Sequence, residues 1–317
     1  MPAAPSSLSH IARRVDARLQ LLLDTERTRW SAFDTDLAQP IDEIARLVLA
    51  GGKRLRPAFC HWGFVGAGGN PDDQRVIDAG AAFELMHAFA LFHDDVMDGS
   101  STRRGEPTTH IVMSELHEKN SWVGESRRFG EGAAILVGDL AFVYADQLLL
   151  GAPQPVWSIW NELRVELNFG QYLDMLGSAN SERRLVKAER ICRYKSGKYT
   201  IERPLQLGAL VTSAPLPTGV LEQLSAIGLP LGDAFQMRDD ILGVFGESSV
   251  TGKPAGDDLR EGKPTPLLAL TTELASPTQQ EVLNKVGRPG ISASDIADIQ
   301  EVIQQTGALQ TMEDRIT

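Results

Sequence analysis

Residues 83–105 read FELMHAFALFHDDVMDGSSTRRG, and this stretch decides which kind of fold the chain adopts. His87, Asp94 and Asp98 follow one another at i, i+7 and i+11, so a helix places one imidazole and two carboxylates on a single stripe. Asp95 lies about 100° to one side of that stripe. Phenylalanine and leucine fill the positions between them, which predicts a largely buried helix.

Carboxylates on a buried helix require a cation. Mg²⁺ suits the position because it commonly binds one or two carboxylates and completes its shell with water and phosphate oxygens. Gly99 ends the helix, and Arg103 and Arg104 follow on a loop, where guanidinium groups can bind phosphate oxygens bidentately. Acids and arginines also pair at ordinary solvated helix ends, and for this segment alone the two interpretations have equal weight. The apolar surroundings of the Asp pair favour the magnesium site.

The rest of the chain has the same helical period, and alternating runs typical of strands are nearly absent. Helices are predicted at 8–33, 37–50, 54–67, 74–98, 131–150, 156–176, 185–213, 219–245 and 264–274. We therefore predict an all-α fold, organised as one domain over residues 1–317, with surface loops at 119–130 and 177–184. The last helix starts after Gly307 and has no terminating residue, so we expect the chain to end inside a truncated helix.

Composition limits the possible functions. The 317 residues carry 42 acidic against 31 basic side chains, a net charge of −11, which argues against a nucleic-acid-binding protein. Cys60 and Cys192 lie far apart and lack metal-ligand spacing, so neither a disulfide framework nor a zinc site is expected. Charged residues near the N-terminus stand where a signal peptide needs its apolar stretch, so we expect none there, and no window has the apolar length of a membrane span. We expect a soluble, cytoplasmic protein without stable membrane insertion.

A second acidic segment, LGDAFQMRDDILGVFG, occupies residues 231–246. Gln236, Asp239, Asp240 and Gly243 stand at i, i+3, i+4 and i+7 and so share one face of a helix. Two such helices facing each other across a cavity could hold several Mg²⁺ ions around one diphosphate.

Three basic segments could bind the phosphate groups. AGGKRLRPAF, residues 50–59, concentrates positive charge after two glycines, and ICRYKSGKYTIERP, residues 191–204, adds Lys195 beside Ser196. TGKPAGDDLREGKP, residues 251–264, is rich in glycine and proline and could close over a ligand as a lid. Taken singly, the Gly-Gly-Lys turn is weak evidence, and the Lys195 segment is more often an ordinary polar helix face. The lid segment is as readily a flexible charged loop.

Taken together, these segments resemble the trans-polyprenyl diphosphate synthase family, over roughly residues 45–270. The matching motifs are GGKRLRP at 51–57, HDDVMD at 93–98, RRG at 103–105, the Lys195 segment, FQMRDD at 235–240 and TGKPAGDD at 251–258. The resemblance implies an all-α bundle around a deep central cavity, a homodimer, and three Mg²⁺ ions in each active site. It also implies two substrates, isopentenyl diphosphate and an allylic diphosphate.

The resemblance assigns roles to individual residues. The implied isopentenyl diphosphate site consists of Lys53, Arg56, His87 and Arg104. The implied magnesium ligands are Asp94, Asp98 and Asp239, with Asp95 and Asp240 as weaker candidates. The implied allylic diphosphate site consists of Arg103, Lys195, Ser196, Gln236, Lys253 and Lys263. The implied catalytic residues are Asp94, Asp98, Arg103, Lys195, Asp239 and Lys253.

Two positions depart from the family pattern. Gly243 stands where the second Asp-Asp-x-x-Asp motif often has its last acid, and Ser196 stands where Thr is common. The short spacing from Asp94 to Asp98 resembles the geranylgeranyl-type branch. Phe89, with the small Ala90 beside it, marks the floor of the product tunnel in this resemblance and implies a twenty-carbon product; the alternative is that Phe89 is a plain core residue.

Two other classes of protein remain open. A terpene cyclase also uses an Asp-rich helix and Mg²⁺, but it consumes a single diphosphate and needs no second phosphate site such as Lys53, Arg56 and His87. A non-catalytic subunit of a heteromeric synthase would be expected to have lost acids from one or both helices, whereas both Asp pairs are present here.

Overall fold

A computed structural model describes residues 6–212, 215–246 and 255–317. The described residues are mainly helical, which confirms the all-α prediction. The first helices are α1 (Ser6–Ser31), α2 (Ala38–Val48), α3 (Leu55–Gly66), α4 (Gln74–Asp98), α5 (Thr109–Lys119), α6 (Ser126–Leu148), α7 (Gln154–Ala179) and α8 (Leu185–Cys192). A π-helix (Arg193–Glu202) follows, and then α9 (Arg203–Val211), α10 (Val220–Phe245), α11 (Asp257–Glu261), α12 (Pro266–Leu274), α13 (Pro277–Leu283), α14 (Ala293–Gln305) and α15 (Ala308–Ile316). The strands β1 (Thr102–Arg103) and β2 (Glu106–Pro107) form an antiparallel hairpin, and Thr35–Leu37 form a 3₁₀ turn.

The chain divides into two compact units. Unit 1 comprises Met1–Ser158 and Pro204–Leu221, and unit 2 comprises Ile159–Arg203 and Glu222–Thr317. That residues 1–317 act as one domain stays a prediction.

Unit 1 is built around α4, which begins and ends where its sequence requires. The Asp73 carboxylate accepts a hydrogen bond from the Arg75 backbone N–H at the N-terminus, and Gly99 has a left-handed φ of 64° at the C-terminus. Between these caps α4 packs against α6 and α3, with Phe83 and Leu85 fully buried. The sequence predicted these bounds.

The apolar character of α4 also bears on the membrane prediction. Among the described residues, α4 alone has the length and hydropathy to cross a membrane, which the sequence analysis did not expect. Because 67% of its most apolar window is buried inside the protein, the finding is weak and fits the core helix of a globular protein.

Unit 2 has a core of its own, formed by the C-terminal part of α10 with α11, α12, α14 and α15. Its buried members include Val244, Leu259, Leu267, Ile299 and Met312. This core fixes α11 next to the end of α10. Side-chain caps and capping boxes at the starts of α12, α13 and α14 set where those helices begin.

The structure corrects several predicted elements. The helix predicted over 185–213 is divided into α8, the π-helix and α9, and the loop predicted over 119–130 ends early because α6 begins at Ser126. The helices α5, α11, α13 and α14 were not predicted, and α11 lies within the segment that was predicted to be a lid loop. The buried positions of α5 include Thr109, His110 and His117. Because these residues are polar, the spacing of hydrophobic residues did not indicate a helix there.

Candidate active site

The β1–β2 hairpin folds Arg103 back onto the end of α4. Arg103 pairs with Glu106, and the two residues between them, Arg104 and Gly105, have φ values of 54° and 81°. Two positive φ values are typical of tight turns whose twist matches that of paired strands. The turn returns the Arg103 guanidinium to Asp95, eight residues earlier in the chain.

Asp95 and Arg103 form a bidentate ion pair. The Arg103 Nε lies 3.0 Å from both carboxylate oxygens of Asp95, and Nη2 lies 2.6 Å from Oδ1. Burial raises the pKa of Asp95, and the hydrogen bond from Arg103 opposes that rise. The Asp95 side chain is only 6% exposed, whereas Asp94, whose Oδ2 lies 4.0 Å from Arg103 Nη2, is 20% exposed. Asp95 therefore holds the arginine, while Asp94 and the partly buried Asp98 remain accessible to a ligand.

His87 lies in a strongly positive environment. Burial lowers the pKa of His87 well below its ordinary value, and the guanidinium groups of Arg56, Arg103, Arg104 and Arg54 lower it further. The imidazole is therefore neutral at physiological pH, and its ring N–H can donate a hydrogen bond to an anion without adding positive charge. The guanidinium groups of Arg56, Arg103 and Arg104 make the surroundings of this imidazole suitable for a phosphate group.

The three basic residues after the Gly-Gly turn have different roles. Lys53 is exposed, whereas Arg54 is 5% exposed. Arg54 Nε donates to Asp16 Oδ1 at 2.8 Å, and Nη1 donates to Glu84 Oε2 at 2.5 Å. Arg54 and Glu84 are thus committed to the fold. Arg56 is partly buried on α3.

Arg104 joins the hairpin to the Gly-Gly turn. Its Nη1 donates to the Gly51 backbone carbonyl at 2.9 Å. Gly51 has a φ of 91° and Gly52 a φ of 154°, values that residues with a side chain rarely adopt. Unit 1 therefore holds Arg104 at the turn that precedes Lys53, about fifty positions earlier in the sequence.

Phe89 and Ala90 lie one helical turn before the acidic end of α4, and both are partly buried. The Phe89 ring centroid lies 4.6 Å from that of Phe142 on α6 and 4.6 Å from that of His93. Gly138 on α6 leaves room for the His93 ring, because a Cβ there would lie 2.4 Å from His93 Cδ2. Phe142 is thus a neighbour of the predicted floor that sequence reasoning did not identify.

In unit 2, the π-helix carries Lys195 and Ser196 and is held by acids on α7. Lys195 Nζ lies 2.5 Å from Asp174 Oδ2, and Lys198 and Arg203 both pair with Glu166. π-helical turns occur often at functional sites. The two acids stand eight residues apart on α7, so one helix face sets the position of this basic segment.

The second acidic helix, α10, holds one exposed and one buried carboxylate. Asp239 is exposed, and Asp240 is 4% exposed with its Oδ1 accepting a 2.9 Å hydrogen bond from Gln236. Asp240 Oδ2 is buried and has no hydrogen-bond partner among the described residues. Burial raises the pKa of Asp240 to about 8, the Gln236 hydrogen bond opposes the rise, and the Asp258 and Asp239 carboxylates add to it.

Lys263 lies close to two acids of unit 2. Its Nζ is 2.6 Å from Glu261 Oε2 and 3.4 Å from Asp258 Oδ1. The other predicted lysine of this segment, Lys253, lies outside the described residues.

The donor set suits a hard divalent cation. Across the described ranges, no three histidine, cysteine or acidic side chains are placed to hold an ion by themselves. Mg²⁺ does not require such a set, since it commonly takes one or two carboxylates together with water and phosphate oxygens. Asp240 Oδ2, which is buried and has no hydrogen-bond partner among the described residues, is an acceptor that a cation could satisfy.

The predicted residues are therefore divided between the two units. Lys53, Arg56, His87, Phe89, Ala90, Asp94, Asp95, Asp98, Arg103 and Arg104 lie in unit 1, and Lys195, Ser196, Gln236, Asp239, Asp240 and Lys263 lie in unit 2. The predicted meeting of the two acidic helices around one ligand stays a prediction. Sequence reasoning missed the supporting acids Asp16, Asp174 and Glu166, because their partners are 21 to 38 residues away in the chain and no local pattern marks them.

Comparison with known proteins identifies relatives along almost the whole chain. A model of the polyprenyl synthetase family matches residues 38–306. The chain is 32% identical over 278 residues to geranylfarnesyl diphosphate synthase from Aeropyrum pernix, covering 85% of this chain and 80% of that protein. It is 33% identical over 271 residues to geranylgeranyl diphosphate synthase from Saccharolobus solfataricus, covering 82% of this chain and 74% of that protein.

A solved structure has a similar fold. Geranylgeranyl pyrophosphate synthase from Corynebacterium glutamicum, crystallised with isoprenyl diphosphate and magnesium, superposes with a TM-score of 0.91 at 37% sequence identity. The match covers 98% of this chain and 90% of that one.

Proposed function

This chain belongs to the polyprenyl synthetase family, and from that premise we propose that it is a magnesium-dependent short-chain trans-prenyltransferase that makes mainly geranylgeranyl diphosphate. Membership in the family confirms the resemblance that the motifs indicated. The observation that carries the proposal is the C-terminal half of α4, where the carboxylates of Asp94 and Asp98 and the imidazole of His87 all interact electrostatically with Arg103. Such a site can bind a diphosphate and its cations together.

The proposed magnesium ligands are Asp94, Asp98 and Asp239, with Asp240 as a weaker candidate. Asp95 is weaker still, because both of its oxygens are already bonded to Arg103. We propose three Mg²⁺ ions in each active site, the number that the family resemblance implies. When bound, Mg²⁺ would offset the negative charge that develops on the departing diphosphate.

The protein's own groups bind and orient the two substrates. We propose that Lys53, Arg56, His87 and Arg104 bind isopentenyl diphosphate. The proposed allylic diphosphate site consists of Arg103, Lys195, Ser196, Gln236, Lys253 and Lys263. In the reaction the bond from the allylic carbon to diphosphate breaks, and the electrons of the isopentenyl double bond form a new carbon–carbon bond to that carbon. The carbocation that results passes a proton to the departed diphosphate, which restores a double bond in the product. Apolar side chains around Phe89 would exclude water from the reactive cation.

A product assay tests the site of chain-length control. We expect Phe89→Ala to move the main product beyond twenty carbons, because it removes a ring that packs 4.6 Å from Phe142 between α4 and α6. The measurement is chromatography of dephosphorylated products. Phe33→Ala is the control, since that ring is 85% exposed. An unchanged product spectrum in Phe89→Ala would assign Phe89 to the core alone.

We propose that the protein is a homodimer formed through α6. Apolar side chains recur every seven residues along this helix and just past its end, and their exposures are 40% for Phe129, 63% for Leu136, 59% for Val143 and 74% for Leu150. A seven-residue apolar repeat is the pattern by which two copies of one helix pack together. A second copy of this chain is therefore the proposed occupant of the stripe.

Substitutions in that stripe test the proposed homodimer. We expect Leu136→Glu combined with Val143→Glu to give a monomer by sedimentation analysis, because two charges would be buried at the interface. Leu21→Glu, at a site on α1 that is 62% exposed, is the matched control and should leave the mass unchanged. A dimer that survives the double substitution would rule out this surface.

We also propose a cytoplasmic location.

The function is tested with purified protein, labelled isopentenyl diphosphate and each allylic primer in turn, with and without Mg²⁺. We expect a twenty-carbon product that requires both the metal and a primer. A hydrocarbon formed from geranylgeranyl diphosphate alone would indicate a terpene cyclase instead. No product with any primer would indicate a non-catalytic subunit.

A further inference from the structure

An ion pair on α2 reaches the base of the β1–β2 hairpin. Arg46 Nη2 lies 2.7 Å from Glu43 Oε2, and Arg46 Nε lies 3.1 Å from the same oxygen. The Glu43 side chain is 5% exposed, so its charge needs such a partner. Arg46 Nη1 also donates to the Pro107 backbone carbonyl at 3.1 Å, and Pro107 is the last residue of β2. One guanidinium therefore joins α2 to the hairpin.

The first residue of α5 completes this contact. Thr109 is 3% exposed, and its hydroxyl donates to Glu43 Oε2 at 2.8 Å and accepts from Arg46 Nη2 at 3.1 Å. Each of the three side chains is thus hydrogen-bonded to the other two, so the position of one restrains the others. Glu43, Arg46 and Thr109 form the α2–α5 network, which holds the chain that leaves β2 against α2.

The tip of the hairpin contacts the turn that follows α2. Arg104 Nη1 donates to the Gly51 backbone carbonyl at 2.9 Å, and Gly51 lies three residues after α2 ends. The hairpin is therefore attached to this helix and its following turn at two places, at the base through Arg46 and at the tip through Arg104. Lys53 follows directly after the same turn.

We propose that Arg46 is a positioning residue for the isopentenyl diphosphate site. Through the α2–α5 network it fixes the hairpin along α2, and it thereby holds Arg104 at the turn that carries Lys53. The inference deepens the proposed function and rests on it, because it assumes that Arg104 and Lys53 bind this substrate. Arg46 does not need to touch the substrate, since all three of its guanidinium nitrogens are bonded to protein groups.

The two arginines of the hairpin should respond differently when its base is loosened. Arg103 is anchored independently of α2, by both carboxylate oxygens of Asp95. Arg104 is anchored to a backbone carbonyl in the turn after α2. Loss of Arg46 should therefore disturb Arg104, proposed to bind isopentenyl diphosphate, more than Arg103, proposed to bind the allylic diphosphate.

Steady-state kinetics, with each substrate varied in turn, test this difference. We expect Arg46→Met to raise the KM for isopentenyl diphosphate about tenfold, while the KM for the allylic diphosphate stays within about threefold of wild type. An unchanged KM for isopentenyl diphosphate, or an equal rise in both KM values, would overturn the proposal.

Arg27→Met is the matched control for this variant. Arg27 on α1 pairs with Asp42 on α2 at 2.6 Å, so the substitution removes an ion pair of the same helix that does not involve the hairpin. We expect wild-type KM values for both substrates.

Thr109 allows a second test that keeps the ion pair between Arg46 and Glu43. Thr109→Val preserves the size of the side chain but removes the hydroxyl, and we expect it to raise the KM for isopentenyl diphosphate about threefold or more. Thr109→Ser keeps the hydroxyl and should have the wild-type KM. Circular dichroism checks the fold of both variants. If Thr109→Val is folded and has the wild-type KM, the α2–α5 network does not position the hairpin and the proposal is wrong.

Binding measured without turnover separates this proposal from the proposed function. Calorimetric titration of the full chain with isopentenyl diphosphate alone should give a dissociation constant about tenfold higher for Arg46→Met than for wild type. Equal dissociation constants, with wild-type protein that does transfer prenyl groups, would overturn the role of Arg46 alone. Wild-type protein that shows no Mg²⁺-dependent transfer would overturn the proposed function itself.

Discussion

Asp94→Asn is expected to lower kcat by about 10³-fold or more, because it removes a charge that holds the cation beside the departing diphosphate. The substitution keeps the size of the side chain, and Asp94 is 20% exposed, so the fold should survive. Asp95 cannot take over this role, since its carboxylate is bonded to Arg103 at 2.6–3.0 Å. The measurement is the steady-state rate of product formation at saturating Mg²⁺ and substrates.

Asp139→Asn is the matched control for this prediction. Asp139 also lies in unit 1, on α6, and its side chain is 58% exposed. We expect wild-type kcat from this variant and wild-type circular dichroism from both. If Asp94→Asn retains kcat within tenfold of wild type, Asp94 does not hold a catalytic cation.

Much of the helical organisation could be predicted from local pattern. The bounds of α4 follow from a capping Asp, a run of apolar residues and a terminal Gly, all of which lie in the sequence. The π-helix could not be predicted in this way. It packs closely on α10, where a Cβ on Gly232 would lie 2.5 Å from the Gly197 carbonyl oxygen, and that contact joins segments 35 residues apart. The spacing of hydrophobic residues does not reveal that a helix is wound as a π-helix and not as an α-helix.

In the candidate site, too, local motifs could be predicted from the sequence, whereas contacts between residues far apart in the chain could not. Sequence identified the acids of α4 and α10 and the basic segments, because each forms a dense local motif. It could not identify which basic side chain points inward, since that depends on Asp16 and Glu84, which lie 38 and 30 residues from Arg54. Nor could it identify the close contact between Gly243 and Asp258, where a Cβ on Gly243 would lie 2.0 Å from Asp258 Oδ2. Asp258 lies in a segment that the sequence analysis interpreted as a lid or a charged surface loop.

Arg54→Met is expected to lower the free energy of unfolding by about 3–5 kcal/mol, the loss typical when one partner of a buried ion pair is removed. Glu84, 7% exposed, would be left as an unpaired buried carboxylate, and the Val48 carbonyl would lose a donor at 2.5 Å. Arg54 also adopts a left-handed φ of 49° at the start of α3, an unfavourable conformation that its three hydrogen-bond partners stabilise. Urea unfolding followed by circular dichroism measures the effect.

Lys53→Met is the control that makes this prediction informative, because it changes the neighbouring residue in the same way. Lys53 is exposed, so the free energy of unfolding should stay within about 0.5 kcal/mol of wild type. If Lys53 binds isopentenyl diphosphate as proposed, its loss should raise the KM for that substrate while leaving the fold intact. Combining Arg54→Met with Glu84→Met should recover part of the lost stability, since it leaves no unpaired buried carboxylate. Equal losses of unfolding free energy in Arg54→Met and Lys53→Met would contradict the assignment of Arg54 to the fold. That assignment requires the buried Arg54 to stabilise the protein more than the exposed Lys53 does.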